Sequence, residues 1–340
     1  ISEYYDPKDI ESVDSSVEGA IKRIIDNADM RKNARGELGL SYNRIKSYKQ
    51  LDKQFKIFQG KKTYKVVEVT PVLANSFKVH LIKKLKYQNG TAIKFVSDLK
   101  TVCIDAEKHG IETSTMLRHI EGSEIRTEYV LYLNPEELKK IKQTALSTPH
   151  LDNARKFLLL GCCLGQRVSD LLAINKSNFI TRNGLEVIEL RQKKTGKLIV
   201  IPVLNETKDI IKNGLPYPIS QQKLNNYIKT VCKESGINEP TEGLKMNPLT
   251  KRKEKGTFHK WQLIASHVCR RSFATNQYGI LPTPLIMSIT GHSTEKMLLK
   301  YIGKTSLDYA QQIADFYILQ AQREKGETVL KVVKKKAING

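Results

Sequence analysis

Acidic side chains are scarce in this sequence relative to basic ones. Its 340 residues hold 35 Asp and Glu against 57 Lys and Arg, a formal net charge of +22. A chain so charged repels itself when compact, and a polyanionic partner relieves that cost. Nucleic acid is the first candidate partner and an anionic membrane surface the second. Long apolar runs are also lacking. No stretch approaches the roughly 20 apolar residues that span a bilayer, and no secretory signal is visible, so no membrane association is expected. Cysteine is sparse too: Cys103, Cys162, Cys163, Cys232 and Cys269 are odd in number and scattered, with no Cys-x-x-Cys pair. That argues against a zinc site and against a disulfide framework. The five read as reduced, small core residues, hence an intracellular, cytoplasmic protein. Neither a Walker-type glycine loop nor a cluster of acidic metal ligands occurs, and no cofactor or metal is expected.

What is present suffices for two domains. Hydrophobic residues make up 40% of the chain, enough for real cores. The chain opens on Ile1 rather than Met and reads as a fragment that begins in a polar linker. Residues 1–34 are expected to form that linker and a short amphipathic helix with Val17, Ile21, Ile24 and Ile25 on one face. Residues 35–115 read as a lysine-studded helical domain. One helix should run from Ser41 to about Phe58, with Ile45, Tyr48, Phe55 and Phe58 inward, and Gly60 should end it. Thr70-Pro71 marks the next helix start, Asn89-Gly90 a turn, and the 4-3-4-3 spacing of Ala92, Val96, Leu99, Cys103 and Ala106 a further helix. The apolar period then lapses, and 116–130 is expected to be an interdomain linker.

A second domain, residues 131–325, opens at Asn134-Pro135-Glu136-Glu137, an N-cap with a proline and an acidic first turn. A β-hairpin is predicted from Val187–Leu190 and Leu198–Ile201 around a lysine-rich turn, with helices after Ser220. A basic tail, 326–340, ends the chain. The predicted fold is therefore mainly α with a small β-sheet.

Four clusters in the second domain carry chemistry-bearing side chains. Arg167 lies between two apolar helical stretches, three residues before Asp170. A lone arginine there is more often a cap, but a fixed guanidinium, oriented or balanced by Asp170, can present its fork to a phosphate. Lys193, Lys194 and Lys197 crowd the hairpin turn; such lysines are usually solvated, yet one on a turn can deliver a proton. His267 and Arg270 share one helix face at i, i+3, within His267-Val268-Cys269-Arg270-Arg271-Ser272-Phe273-Ala274-Thr275. Gly291-His292-Ser293 precedes a helix, and Tyr301 follows nine residues after His292. None of the four would support a claim alone.

Their order does. Arginine, hairpin lysine, His-x-x-Arg, Gly-His and a downstream tyrosine make the chain resemble the tyrosine recombinase (phage integrase) family across about residues 130–325. The preceding helical unit resembles the family's SAM-like core-binding domain in composition and layout only. The resemblance implies that the two domains clamp DNA, with Arg167, Lys194, His267, Arg270, His292 and Tyr301 as the catalytic set. Lys193 and Lys197 are close enough to exchange roles with Lys194.

In that mechanism the arginines and a histidine neutralise the phosphodiester and its pentacovalent transition state. Tyrosine, with an ordinary pKa of about 10, attacks once His267 accepts its proton. Lys194 protonates the departing 5′ oxygen, leaving a 3′-phosphotyrosine. The implied partners are double-stranded DNA and a homo-tetramer on two DNA sites, with DNA-bending or excision accessory proteins, in the bacterial cytoplasm at the nucleoid. The implied role is integration or excision of a mobile element. An N-terminal arm-binding domain, common in the family, is expected to have preceded Ile1. Type IB topoisomerases share the chemistry but characteristically carry lysine where His267 stands, and a non-catalytic DNA-binding protein would not need the complete set. The apolar residues after a Thr305-x-x-Asp308 capping box, Tyr309, Ile313, Phe316, Tyr317 and Leu319, suggest a helix that docks either on its own domain or on a neighbouring protomer.

Overall fold

The computed structural model describes residues 14–33, 36–121, 130–250 and 252–324. The expected N-terminal linker before Asp14, Lys251, most of the interdomain linker and the basic tail lie outside them. The chain divides into two compact units: residues 1–126 with 246–253, and residues 127–245 with 254–340.

Unit 1 is built on four helices, α1 (Val17–Asp26), α2 (Tyr42–Gln59), α3 (Pro71–Lys83) and α4 (Asn89–Lys108). Ser16, Ser41 and Thr70 each accept the third helical amide, which fixes where α1, α2 and α3 begin. Ile21, Leu51, Phe55, Phe77, Leu81 and Leu99 fill one core. Burying each such side chain stabilises the fold by about 1.5–3 kcal/mol. The unit is wider than the expected 35–115. Val17, Ala20, Ile21 and Ile24 of α1 are in the same core, and so are Leu117 and Ile120. A one-faced helix must bury that face, and 117–120 pack without a helical period because they form a 3-10 turn. Asn89-Gly90 is not a turn but the first turn of α4, where amides need no intrahelical acceptor and Asn and Gly cost little. Arg252, which groups with this unit, donates to the Leu85 carbonyl (2.9 Å).

Unit 2 contains α5 (Pro135–Gln143), α6 (Pro149–Leu164), α7 (Val168–Leu171), the strands β1 (Phe179–Arg182), β2 (Leu185–Arg191) and β3 (Leu198–Pro202), then α8 (Asn205–Ile211) and α9 (Gln221–Glu234). After β4 (Pro240–Met246) and β5 (Lys253–His259) come α10 (Lys260–Leu263), α11 (His267–Gln277), α12 (Thr283–Thr290), α13 (Glu295–Leu299) and α14 (Ser306–Glu324). Helix α6 is apolar all round over residues 157–164, and α5, α8, α9 and α11 all pack on the helix. Two departures from the sequence reading concern strands. The predicted hairpin gains a third antiparallel strand, β1, in the order β1-β2-β3, and the stretch expected to be helical after Ser220 contains the two-stranded β4–β5 sheet. Both escaped because β1 is short and the less exposed positions of β4–β5 are mostly threonine and glycine, which give no apolar period. Among the described residues no helix is long and apolar enough to cross a membrane.

Candidate active site

Helix α6 stops at Gly165, whose left-handed backbone (φ 63°) suits glycine. A Cβ there would come within 2.5 Å of the Phe273 ring, so the reversal is closed against α11. The reversal delivers Arg167 to the N-cap of α7. Its guanidinium donates to Gln192 Oε1 at 2.8 Å. Asp170, expected to orient Arg167, is buried and instead accepts the backbone amide of Lys193 at 2.9 Å. Its carboxylate therefore anchors the lysine turn.

Arg270 is 0% exposed. It donates to the Gly165 carbonyl (3.0 Å) and to His292 Nε2 (3.1 Å), while its Nε has no hydrogen-bond partner in the protein. Burial, then repulsion from Arg167, lowers its pKa to about 10. The tautomer of His292 follows from its neighbours. The Thr290 hydroxyl donates to the Ile286 carbonyl (2.7 Å), so its oxygen accepts from His292 Nδ1–H (2.9 Å) and leaves Nε2 to accept from Arg270. Burial and then the charges of Arg270 and Arg167 push His292 down to about 3, which agrees with a neutral ring.

Tyr301 is fixed by its neighbours in the chain. Leu298 and Ile302 are buried with Phe273, Ala274 and Ile286 in a small core of their own. The Thr275 hydroxyl donates to the Tyr301 carbonyl (3.2 Å) and accepts from the Gly303 amide (3.0 Å). A Cβ on Gly303 would sit 2.6 Å from the Tyr132 ring. Gly303 thus permits a close approach rather than breaking a helix, since α13 has already ended at Leu299. Held this way, the Tyr301 ring centroid lies 5.1 Å from that of His267 and 4.7 Å from that of His292, with the Arg270 guanidinium 5.6 Å away. His267 keeps one open edge, yet partial burial of its ring lowers its pKa to about 4, helped by Arg271, Arg270, Arg167 and Lys194.

The lysine turn between β2 and β3 is closed by two backbone bonds, Gln192 N–H to Lys197 O (2.9 Å) and Gly196 N–H to Gln192 O (2.8 Å). Lys194 is near enough to act on His267, and Lys197 on His292.

Gln192, Thr290, Thr275 and Arg271 were not singled out from the sequence. Gln192 had a signal: it continues the inward alternation of Ile188 and Leu190, a polar residue in an apolar register. Arg271, half-buried with an unpartnered Nε, carries the charge that acts most strongly on His267.

The description "Phage integrase family" matches residues 131–306, the whole span that carries this cluster and more than half of the chain. The chain belongs to the phage integrase family. It is accordingly a tyrosine site-specific recombinase, and the phage integrase SAM-like domain matches residues 24–120, within unit 1. None of the curated proteins matches this integrase in sequence. Among solved structures it is similar to residues 75–356 of lambda integrase in a dimer bound to a core site, with 18% identity, 84% of this chain and 95% of that chain covered, and a TM-score of 0.60. The Tn1549 transposon integrase in complex with circular intermediate DNA gives 14% identity, 87% and 98% coverage, and a TM-score of 0.58. The XerH site-specific recombinase bound to its palindromic substrate gives 13%, 88%, 95% and 0.58. At such identities the likeness carries the fold.

Proposed function

We propose that this integrase inserts or excises a mobile element by cutting double-stranded DNA with Tyr301 and rejoining it through a 3′-phosphotyrosine. The observation that carries the reading is the convergence of His267 and Arg270, both on α11, and His292, just after α12, on one phenol ring. Arg167 and Arg270 donate to the non-bridging oxygens of the scissile phosphate and meet the charge that builds in the transition state. His292 fixes the plane of the Arg270 guanidinium at the anion pocket. His267, neutral above about pH 4, accepts the phenol proton as Tyr301 attacks phosphorus. The bond from phosphorus to the 5′ oxygen breaks, and Lys194 supplies the proton that makes this oxygen a hydroxyl. The ester conserves the bond energy, so a 5′ hydroxyl from another strand reverses the step without ATP.

Unit 1, with lysines on its outer faces, supplies phosphate contacts whose affinity falls with salt. We place four protomers on two DNA sites. Support comes from α14: the expected capping box forms, with the Thr305 amide donating to Asp308 Oδ2. Tyr309, Ile313, Phe316 and Tyr317 are all exposed, Phe316 and Tyr317 at 64% each. The side chain of Leu319 lies outside the described residues. Its first turns touch their own unit, through Gln312 to the Tyr278 carbonyl (3.1 Å) and the Tyr309–Tyr278 ring pair. A lambda integrase structure is described as a tetramer bound to a Holliday junction.

One experiment tests both parts. On a nicked suicide substrate, a covalent DNA adduct should map to Tyr301 and vanish in Tyr301→Phe while DNA binding persists. A chain ending at Thr305 should still bind a single site but lose the two-duplex complex on native gels. An adduct in Tyr301→Phe sinks the nucleophile, and an intact two-duplex complex in the truncated chain sinks the bridge.

A further inference from the structure

Gln192 is 1% exposed, and its carboxamide bonds to three segments of the site: 166–167, the lysine turn and the end of α12. Oε1 accepts from Arg167 (2.8 Å) and from the Thr195 hydroxyl (2.8 Å). Nε2 donates to Gln166 Oε1 (2.9 Å) and to the Thr290 carbonyl (3.1 Å). Both ends of the amide are thus used twice. Thr195 directly follows Lys194 in the turn, and Thr290 is the residue whose hydroxyl orients His292.

The two oxygen bonds have opposite mechanical meanings. Arg167 is held at the base of α7 by the packed junction at Gly165, whereas the lysine turn projects beyond the last β2–β3 pair, Arg191 and Leu198. A single acceptor bonded to both fixes the second relative to the first. The nitrogen bonds keep that acceptor from rotating, since turning the amide would set its NH2 group against the donors of Arg167 and Thr195. A buried amide with all four bonds made is rigid, and losing any partner leaves a desolvated polar group.

We infer that Gln192 is a positioning residue that registers the general-acid turn against Arg167, so that the Lys194 ammonium meets the leaving 5′ oxygen of the phosphate that Arg167 holds. Asp170, which accepts the Lys193 amide (2.9 Å), is the second clamp. This inference rests on the reading of Lys194 as the proton donor, and it adds a separable claim about what places that lysine.

The test uses the full chain and two substrates, ordinary DNA and DNA with a bridging sulfur in place of the scissile 5′ oxygen. A thiol has a pKa of about 8.5, so sulfur leaves without a proton and a misplaced general acid no longer matters. Lys194→Ala should lose about 10²–10⁴-fold in cleavage of ordinary DNA, the range general acids supply, and recover on sulfur. Gln192→Ala should lose about 10²-fold on ordinary DNA, as misplacement by an ångström does. It should recover at least about tenfold on sulfur, but incompletely, because Arg167 is also loosened. Thr195→Val severs only the turn's bond and should recover fully; it decides the matter if Gln192→Ala fails to fold by thermal melt. Equal losses on both substrates for Gln192→Ala and Thr195→Val, with Lys194→Ala rescued, overturn the inference alone. Wild-type cleavage of ordinary DNA by both variants overturns it as well. Failure of sulfur to rescue Lys194→Ala overturns the lysine's role, and the inference with it.

Discussion

In unit 1 two half-buried arginines are paired with carboxylates: Arg31 with Asp105 and Arg44 with Asp98. In unit 2, Arg167 leans on an amide oxygen, and Arg270 on a carbonyl and an imidazole. The two treatments cost different things. A guanidinium matched by a carboxylate has its charge cancelled locally and serves packing, as the bridge between α2 and α4 does. One held by neutral acceptors is oriented without being cancelled, and burial then leaves it short of solvation, as the lowered pKa of Arg270 records. Such a residue is destabilised until an anion reaches it.

The strongest way to break this comparison is to remove the fork and keep the charge. Arg167→Lys and Arg270→Lys should each lower single-turnover cleavage by about 10²–10³-fold, the usual loss for one transition-state donor. Arg44→Lys should leave it near wild type. Near-normal cleavage in the unit 2 variants would place all these arginines in one structural class. A smaller effect sharpens the other side. Asp98→Asn removes the carboxylate under Arg44 and should lower the stability of unit 1 by on the order of 2 kcal/mol, as for a hydrogen bond to a charged group, with cleavage per folded molecule unchanged. An unshifted thermal melt would show that the pair does not hold the helices.

The smallest effect is on pH dependence. His292 is pushed down to about 3 from an ordinary 6.5. Between those values the unfolded chain binds a proton that the folded chain refuses, so this contribution to stability is complete above about pH 6.5 and declines as pH falls towards 3. The melting temperature should therefore drop between pH 7 and pH 5, and His292→Gln should drop less. Parallel pH profiles for the two proteins would mean the buried imidazole is not the group being titrated.

What the sequence made legible was what is local. Serine and threonine caps, the Thr305–Asp308 box and the i, i+3 relation of His267 to Arg270 all depend on neighbours within one turn, and the structure contains them. What escaped depends on distant partners. Asp170 stands three residues from Arg167 but bonds to Lys193, and Gln192 is surrounded by residues from α7 to α12. Periodicity reports which face is buried, not which polar group waits there. The β4–β5 strands were invisible for a related reason: their less exposed positions, Thr241, Gly243, Lys245, Gly256 and Phe258, make no apolar alternation.

Gly291 connects to Gln192 in one more way. It takes a left-handed backbone (φ 71°), and a Cβ there would come within 2.5 Å of Gln192 Oε1. The two positions stand far apart in the chain but occupy one volume. A library that randomises position 291 alone should therefore return glycine almost exclusively, because every other residue strikes the carboxamide. Freeing position 192 at the same time relieves the collision but gives up the hydrogen bonds that tie Arg167 to the turn. For anyone retargeting this recombinase by directed evolution, the pair is best treated as a single fixed letter, with variation spent elsewhere.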